Sequence, residues 1–253
     1  PDLLTADLTG TDIYRPKEGT YEIRKGPQFH NQIQPDEINR APAKVQSALL
    51  EAMEERQISV GDKSYPLDDL FLVMATQNPI EQEGTYPLPE AQLDRFLLHA
   101  QVGYPNAEQE RSILVLNREE AKANKRDAFQ PPELLSVASV MQARQEILRL
   151  HLADELEEYI VNIVLATRNA GAVDDSLEGQ ILYGASPRAS IGIDRAARAR
   201  AWLAGRDYVG PEDIQDVTAD VLRHRLVLSF EAEADGVDAN SVIERILDGV
   251  GVP

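Results

Sequence analysis

The chain begins with short β-prone stretches that are separated by turns. Residues 11–28 carry such stretches on either side of Pro16-Lys17-Glu18-Gly19, which has the composition of a turn, so a hairpin is predicted there. Residues 57–67 alternate apolar and polar side chains around Gly61-Asp62 and predict a second hairpin. The first part of the chain is therefore expected to contain β-structure.

A helix and a buried strand are predicted in the same part of the chain. Val45, Leu49 and Met53 recur at a spacing of four, and Pro42 suits the first turn of the helix that this spacing indicates. Residues 70–75 form a continuous apolar run, which is typical of a strand buried in a parallel sheet. Together with the hairpins, these elements predict a mixed α/β structure.

Beyond residue 105 the pattern is almost wholly helical. Asn106 and Gln109 have the spacing of a capping box, which predicts a helix running toward Arg126. Proline at helix starts and glycine after helix ends mark the others. Helices are predicted at about 132–149, 154–169, 187–204, 211–224 and 239–248, and a short one runs from Pro89 to near Phe96. We therefore divide the chain into an α/β part, residues 1–105, and a helical part, residues 106–253.

Composition narrows the class of protein. The 253 residues are 43% apolar and 27% charged, contain no cysteine and carry a net charge of −18. Without cysteine there is neither a disulfide framework nor a thiolate metal site. The negative charge argues against general nucleic-acid binding, and no apolar run reaches the ~18 residues of a membrane span. We expect a cytoplasmic protein without stable membrane insertion or a nucleic-acid partner.

The acid pair Asp36-Glu37 is the first candidate for chemistry. It should lie at the carboxyl end of a strand, where open α/β sheets bind ligands. There an aspartate can hold Mg²⁺, and a neighbouring glutamate can accept a proton from water. The alternative is an ordinary helix start, where carboxylates favour the dipole. The preceding residues 31–35 are mostly polar and end in Pro35, which is unusual for a buried strand.

Three further residues could complete such a site. Asn78 ends the second apolar strand and could orient a water molecule, although an Asn-Pro turn explains it equally well. Arg95 could reach a phosphate on a neighbouring subunit, or it could pair with Asp94 or serve only as a cation at a helix end. Arg188 follows Ser186-Pro187 in the first turn of a helix, where a phosphate would be favoured and a surface arginine is also common.

Several other kinds of site are excluded. The four histidines have no metal-ligand spacing, and the chain has no Gly-x-Ser-x-Gly element for a nucleophilic serine. A phosphate-binding loop with its lysine is missing from residues 1–253. The nearest match, residues 179–186, has Ala185 where lysine is required and follows no predicted strand.

The combined motifs resemble the MoxR family of AAA+ ATPases. The matching segments are residues 36–42, 46–55, 75–81 and 84–96, together with Ser186-Pro187-Arg188 and the two ends of the chain. The resemblance implies a partial AAA+ P-loop nucleotide-binding core with a parallel sheet, followed by an all-α lid domain. The hairpins would correspond to the helix-2 and pre-sensor 1 inserts of this branch.

The resemblance also implies roles for the candidate residues. Asp36 and Glu37 correspond to the Walker B metal ligand and base, and Asn78 corresponds to sensor 1. Arg95 corresponds to the arginine finger that acts on the adjacent protomer, and Arg188 to sensor 2, acting in cis from the lid. The implied cofactors are ATP and Mg²⁺.

For the whole protein, the resemblance implies a homo-hexameric, chaperone-like remodeller that hydrolyses ATP. Such proteins act on client proteins during maturation or metal loading, often beside a von Willebrand factor A domain protein. The family's phosphate-binding loop would precede Pro1, so we expect a longer protein and no ATP hydrolysis by residues 1–253 alone. The alternatives are a non-hydrolysing ring or interaction module and an AAA+ subunit of a metal chelatase.

Overall fold

The computed structural model describes residues 4–17, 19–78, 84–122 and 134–253. In the first part of the chain short helices and strands alternate. They are α1 (Thr5–Thr9), β1 (Gly10–Arg15), β2 (Thr20–Lys25), β3 (Gln32–Ile33), α2 (Ala43–Glu55), β4 (Gln57–Val60), β5 (Lys63–Pro66), β6 (Leu72–Val73) and α3 (Glu90–Leu93). Short 3₁₀ turns occupy Pro27–Phe29 and Ile38–Arg40.

The second part of the chain is mainly helical. Its elements are α4 (Ala107–Lys122), α5 (Val137–Leu148), α6 (Asp154–Ala166), β7 (Ile181–Tyr183), α7 (Pro187–Leu203), α8 (Pro211–Leu222), β8 (Val227–Leu228), α9 (Phe230–Ala234) and α10 (Ala239–Gly249). The predicted helix start at about residue 132 and the predicted helix end toward Arg126 lie outside the described residues.

Both predicted hairpins are present as antiparallel pairs. β1 pairs with β2 from Gly10 opposite Lys25 to Arg15 opposite Thr20. β4 also pairs with β5 in an antiparallel arrangement, from Gln57 opposite Pro66 to Val60 opposite Lys63. Gly10 has a φ of +96°, and a side chain there would collide with the backbone of Arg24, so glycine is required at the base of the first hairpin.

The strands β3 and β6 form a short parallel pair that carries the acid pair at its end. Gln32 lies opposite Leu72 and Ile33 opposite Val73. Residues 70–75 were predicted to form a strand of a parallel sheet, and this prediction is confirmed. The regular strand, however, covers only Leu72–Val73. Pro35 lies two residues after the end of β3 and has no N–H to donate, so only its carbonyl can take part in further pairing.

The core of the first part lies between this pair of strands and α2. Ile33, Ile38, Leu49 and Leu50 are buried together there. The spacing of Val45, Leu49 and Met53 therefore marks the buried face of α2, as predicted. α2 consequently fixes the position of the turn that follows the acid pair.

A larger core lies between α6, α7, α8 and α10. Ile163, Ile193, Ile214, Val242 and Ile246 are fully buried in it. Gly192 on α7 allows close packing, since a Cβ at that position would meet Val221 of α8 at 3.0 Å. The helical second part is confirmed, with the addition of one short antiparallel pair, β7 with β8, that the pattern did not predict.

α4 differs from the other long helices because all of its residues are exposed. Its predicted start is confirmed: Asn106 Oδ1 accepts from Gln109 N at 2.9 Å, and Gln109 Oε1 accepts from Asn106 N at 2.9 Å. The helix lies between the two buried cores in sequence, close to the predicted division at residue 105. That division remains a prediction.

In the part of the chain that the structure describes, no helix combines the length and the apolar character needed to cross a bilayer.

The packing of α7 can be tested with two isoleucines on the same helix. Ile193 is 0% exposed and Ile191 is 51% exposed. Ile193→Ala should lower the free energy of unfolding by about 2–5 kcal/mol, because it leaves a cavity in the core. Ile191→Ala should change it by only about 0.5 kcal/mol. Urea denaturation measures both, and equal losses would contradict the packing described.

Candidate functional site

The acid pair is held at the carboxyl end of β3 by a residue from the other strand. Thr76 Oγ1 donates to Asp36 Oδ1 at 2.5 Å and accepts from Glu37 N at 2.9 Å. One hydroxyl therefore bonds both acids, to the side chain of the first and to the backbone of the second. Sequence reasoning missed Thr76, because nothing in its local pattern relates it to residues forty positions earlier.

The backbone around Pro35 continues the parallel ladder beyond the regular strands. Met74 N donates to Ile33 O at 3.0 Å, Thr76 N donates to Pro35 O at 3.1 Å, and Ile38 N donates to Thr76 O at 3.0 Å. Pro35 thus lacks a donor but still accepts through its carbonyl. The mostly polar residues 31–35, which end in Pro35, are therefore compatible with an acid pair at the end of a strand.

Glu37 has a left-handed backbone, with φ of 49° and ψ of 57°. For a residue other than glycine this conformation costs roughly 1 kcal/mol, and such residues are often found at functional sites. Here it turns the chain from β3 into the 3₁₀ turn, so that Arg40 comes back to the acid. Arg40 Nη1 lies 2.8 Å from Glu37 Oε2. The Glu37 carboxylate is therefore paired with the Arg40 guanidinium group, and the Glu37 backbone N–H donates to Thr76.

Asn78 lies two residues after Thr76 at the same end of the parallel pair. The structure thus brings Asp36 and Glu37 beside Thr76, two residues before Asn78. The part of Asn78 in a common site stays a prediction. Pro79, which the alternative turn requires, lies outside the described residues. The carboxylate of Asp36 and the hydroxyl of Thr76 provide hard oxygen atoms of the kind that Mg²⁺ prefers.

Within residues 4–17, 19–78, 84–122 and 134–253, no group of three or more acidic or histidine side chains is arranged to hold a metal ion. Magnesium in nucleotide sites is commonly held by one or two carboxylates, with water and substrate phosphates completing its coordination. Asp36 with Thr76 therefore fits Mg²⁺ that is bound together with a nucleotide.

The two predicted arginines share a carboxylate on α2. Arg95 Nη2 lies 2.6 Å from Glu54 Oε2, and Arg188 Nη2 lies 3.0 Å from Glu54 Oε1. Arg188 belongs to α7 and Arg95 follows α3, so Glu54 joins side chains from both parts of the chain. The two guanidinium groups consequently lie side by side, each bonded to one oxygen of the same acid.

A second acid, Asp94, lies beside this pair. The hydroxyl of Ser186 donates to its carboxylate, 3.0 Å from either oxygen, and Arg225 Nε lies 3.0 Å from Oδ1. Arg188 Nε is further away, 3.8 Å from Oδ2. The alternative that Arg95 pairs with Asp94 is not the arrangement found, because Asp94 is bonded to residues of the helical part. Arg225 was not singled out from the sequence.

The join between the two parts also buries a histidine. His224 Nε2 lies 3.0 Å from the carbonyl oxygen of Phe96, and its ring packs edge-on to that of His99. Burial, aided by the neighbouring charge of Arg225, lowers the pKa of His224 from 6.5 to about 4. The ring is therefore neutral near pH 7, and Nε2–H donates to Phe96.

Comparison with known proteins agrees with this geometry. Residues 1–98 match the ATPase family associated with various cellular activities (AAA), and residues 177–246 match the AAA lid domain. The parallel pair with its acid-bearing edge, followed by a helical lid, thus defines a protein of the AAA+ ATPase class.

Its relatives identify the family. Chaperone MoxR1 of Mycobacterium tuberculosis is 46% identical over 257 residues, covering 100% of this chain and 66% of that protein. Protein MoxR of Paracoccus denitrificans is 32% identical over 253 residues, covering 89% of this chain and 70% of that protein. This chain belongs to the MoxR family of AAA+ ATPases.

A solved structure from Cytophaga hutchinsonii, described as a candidate ATPase, has a TM-score of 0.90 and 48% identity. The match covers 100% of this chain and 76% of that one. A magnesium-chelatase subunit, ChlI-2 of Arabidopsis thaliana, is 30% identical over 201 residues. That match covers 76% of this chain and 42% of the chelatase subunit. The chain thus spans about two thirds of the MoxR proteins it matches.

The buried histidine makes stability depend on pH. Between pH 6.5 and about 4 the unfolded chain binds a proton at His224 and the folded chain does not. The free energy of unfolding should therefore fall as the pH is lowered through this range, by up to about 3 kcal/mol from this group. His224→Gln keeps a donor toward Phe96 and cannot titrate, so urea denaturation should show a shallower pH dependence. The exposed His30→Gln is the control, and an unchanged slope in His224→Gln would contradict the assignment.

Proposed function

We propose that the protein is an ATP-hydrolysing, chaperone-like remodeller of the MoxR type. The observation that carries this proposal is the acid pair Asp36-Glu37 at the end of β3, where Thr76 orients both acids. Family membership supports a nucleotide as the ligand. The strained backbone of Glu37 also supports a functional role, since an ordinary turn would be more stable with glycine there.

In this proposal each polar group has a distinct task in the attack of water on the terminal phosphate of ATP. Glu37 accepts a proton from the attacking water, and Asn78 orients that water through its carboxamide. Asp36, supported by Thr76, would hold Mg²⁺, which supplies charge stabilisation at the phosphates. Because Glu37 is bonded to Arg40, the carboxylate must share or release this contact when it acts as the base.

A phosphate-binding loop has to be supplied from outside residues 1–253, because the sequence contains none. We therefore expect the isolated polypeptide of these residues not to turn over ATP, and all activity tests below use the full-length protein. Turnover by residues 1–253 at the rate of the full-length protein would contradict this part of the proposal.

The arginines are proposed to stabilise the charge that develops on the phosphate. The family resemblance gives Arg95 a role in trans and Arg188 a role in cis. Their shared contact with Glu54 favours a different arrangement, in which both act on one nucleotide, that of the adjacent protomer. A phosphate reaching this position would compete with the Glu54 carboxylate for the same two guanidinium groups.

A role in trans requires an oligomer, and we propose a homo-hexameric ring in the cytoplasm that acts on client proteins during maturation or metal loading. A von Willebrand factor A domain protein is the proposed partner. Similarity to a magnesium-chelatase subunit favours a second candidate, an AAA+ subunit of a metal chelatase. Affinity purification of the full-length protein would separate the two, since the first predicts a von Willebrand factor A domain protein or client and the second predicts chelatase subunits.

Hydrolysis is tested by replacing the proposed base. Glu37→Gln in the full-length protein should lower ATP turnover by about 100-fold or more, because the carboxamide cannot accept the proton. Affinity for ATP should change little, since the substitution keeps the shape of the side chain. Steady-state hydrolysis and equilibrium nucleotide binding measure the two effects. Glu55→Gln, at an exposed position on α2, is the control.

Unchanged turnover in Glu37→Gln would remove the base assignment. Absence of turnover in the wild-type full-length protein would instead favour the non-hydrolysing interaction module.

Mixing of variants tests which nucleotide the arginines serve. Arg95→Ala and Arg188→Ala protomers should each be inactive alone and regain turnover when mixed with Glu37→Gln protomers. In an equal mixture about one interface in four would join an intact arginine pair to an intact Glu37. Turnover restored with Arg95→Ala but not with Arg188→Ala would support the cis role of Arg188. Rings of Glu37→Gln alone provide the baseline.

A further inference from the structure

Arg225 is an almost completely buried cation at the join between the two parts of the chain. Its side chain is only 3% exposed. It follows α8, and all five of its N–H donors have acceptors: four contact residues 94–97, and the fifth contacts the carbonyl of Val221 near the end of α8. A buried guanidinium is costly unless it is paired and hydrogen-bonded in this way.

The four outward bonds of Arg225 surround Arg95. Nη2 donates to the carbonyl of Asp94 at 3.2 Å and to that of Phe96 at 2.6 Å, the residues immediately before and after Arg95. Nη1 donates to the carbonyl of Leu97 at 3.2 Å, and Nε donates to the Asp94 carboxylate at 3.0 Å. The backbone on both sides of Arg95 is therefore bonded to the end of a lid helix.

Other lid residues reinforce the same segment. Ser186, at the start of α7, donates to the Asp94 carboxylate. His224 donates to Phe96, and His99 N donates to the carbonyl of Asp220 at 2.8 Å. Arg188, two residues after Ser186, reaches Glu54 beside Arg95. Two lid helices thus bond to the segment that carries Arg95.

We infer that Arg225 and Asp94 are positioning residues that attach Arg95 to the lid, so that Arg95 and Arg188 move as one unit when the lid moves. This inference rests on the proposed role of Arg95 at a phosphate. Hydrogen bonds on both sides of Arg95 leave its backbone little freedom relative to α8. A lid displaced by nucleotide or by a client would therefore displace the arginine that serves the neighbouring protomer.

The geometry explains why arginine is needed at position 225. Lysine could keep the ion pair with Asp94. Its three N–H donors are on a single nitrogen, however, and cannot reach all the carbonyls that the separate nitrogens of the planar guanidinium group contact. Arg225→Lys should therefore keep the charge and weaken the attachment, because it loses the backbone bonds on both sides of Arg95. Arg198 is a suitable control, because it also bonds a carboxylate and a carbonyl within the lid, Asp194 and Leu150, away from residues 94–97.

The test compares Arg225→Lys with Arg95→Ala and Arg198→Lys in the full-length protein. Arg225→Lys should lower kcat for ATP by about 10-fold or more, in the direction of Arg95→Ala, with KM changed by less than about threefold. Mixing with Glu37→Gln protomers should restore turnover, because the defect lies in the arginine given to the neighbour. Arg198→Lys should keep the wild-type kcat.

The outcomes separate this inference from the proposed function. Wild-type turnover in Arg95→Ala would overturn the proposed role of the arginine itself. Impaired Arg95→Ala together with wild-type kcat in Arg225→Lys would overturn the attachment. A loss in Arg225→Lys that Glu37→Gln protomers cannot restore would also overturn it, since the variant would then be damaged at its own nucleotide.

Should Arg225→Lys fail to fold, Asp94→Asn provides the same test. It keeps the shape of the side chain and its backbone carbonyl, and it removes the charge that pairs with Arg225. A folded Asp94→Asn protein with wild-type kcat would overturn the inference, whereas a lowered kcat that mixed rings restore would support it.

Discussion

The site depends on the parallel pairing of two very short strands. With Ile33 opposite Val73, Thr76 comes to lie against the acid pair, where its hydroxyl and carbonyl bond Asp36, Glu37 and the following turn. A slip of one residue would turn Thr76 to the other face of the sheet and remove these bonds. The buried face of α2 covers the turn and so helps to fix this register. The packing of α2 against the two strands therefore helps to position Asp36 and Glu37.

Charged and hydrogen-bonded groups connect the core to the lid. Arg225, Asp94, Arg188 and Glu54 form a chain of paired groups that connects the end of α8, the segment after α3, α7 and α2. Such groups contribute little net stability, because their desolvation opposes their attraction, but they impose a single geometry. Two apolar surfaces can shift relative to one another with little loss of free energy. A guanidinium group that donates to several carbonyls cannot shift without breaking those hydrogen bonds.

Local patterns were sufficient to predict most elements of the fold. α7 was expected at 187–204 and runs from Pro187 to Leu203, because proline and serine mark its start. The pair β7 with β8 was missed, since three residues are too few to show a period. Thr76 and Arg225 were missed for another reason. Their importance arises from contacts across long stretches of chain, and Arg225 lies in an Arg-His-Arg run that is typical of an exposed helix end. The roles of Asp36, Glu37, Asn78, Arg95 and Arg188 remain predictions.

The left-handed backbone of Glu37 lowers the stability of the fold at a position that is also proposed to act in catalysis. A glycine there would adopt the same conformation without steric cost and would be the more stable choice for the fold. A residue with a carboxylate keeps the strain permanently, in every folded molecule, whether or not a reaction is under way. Under the role proposed for Glu37, a replacement by glycine that stabilised the fold would also remove the base.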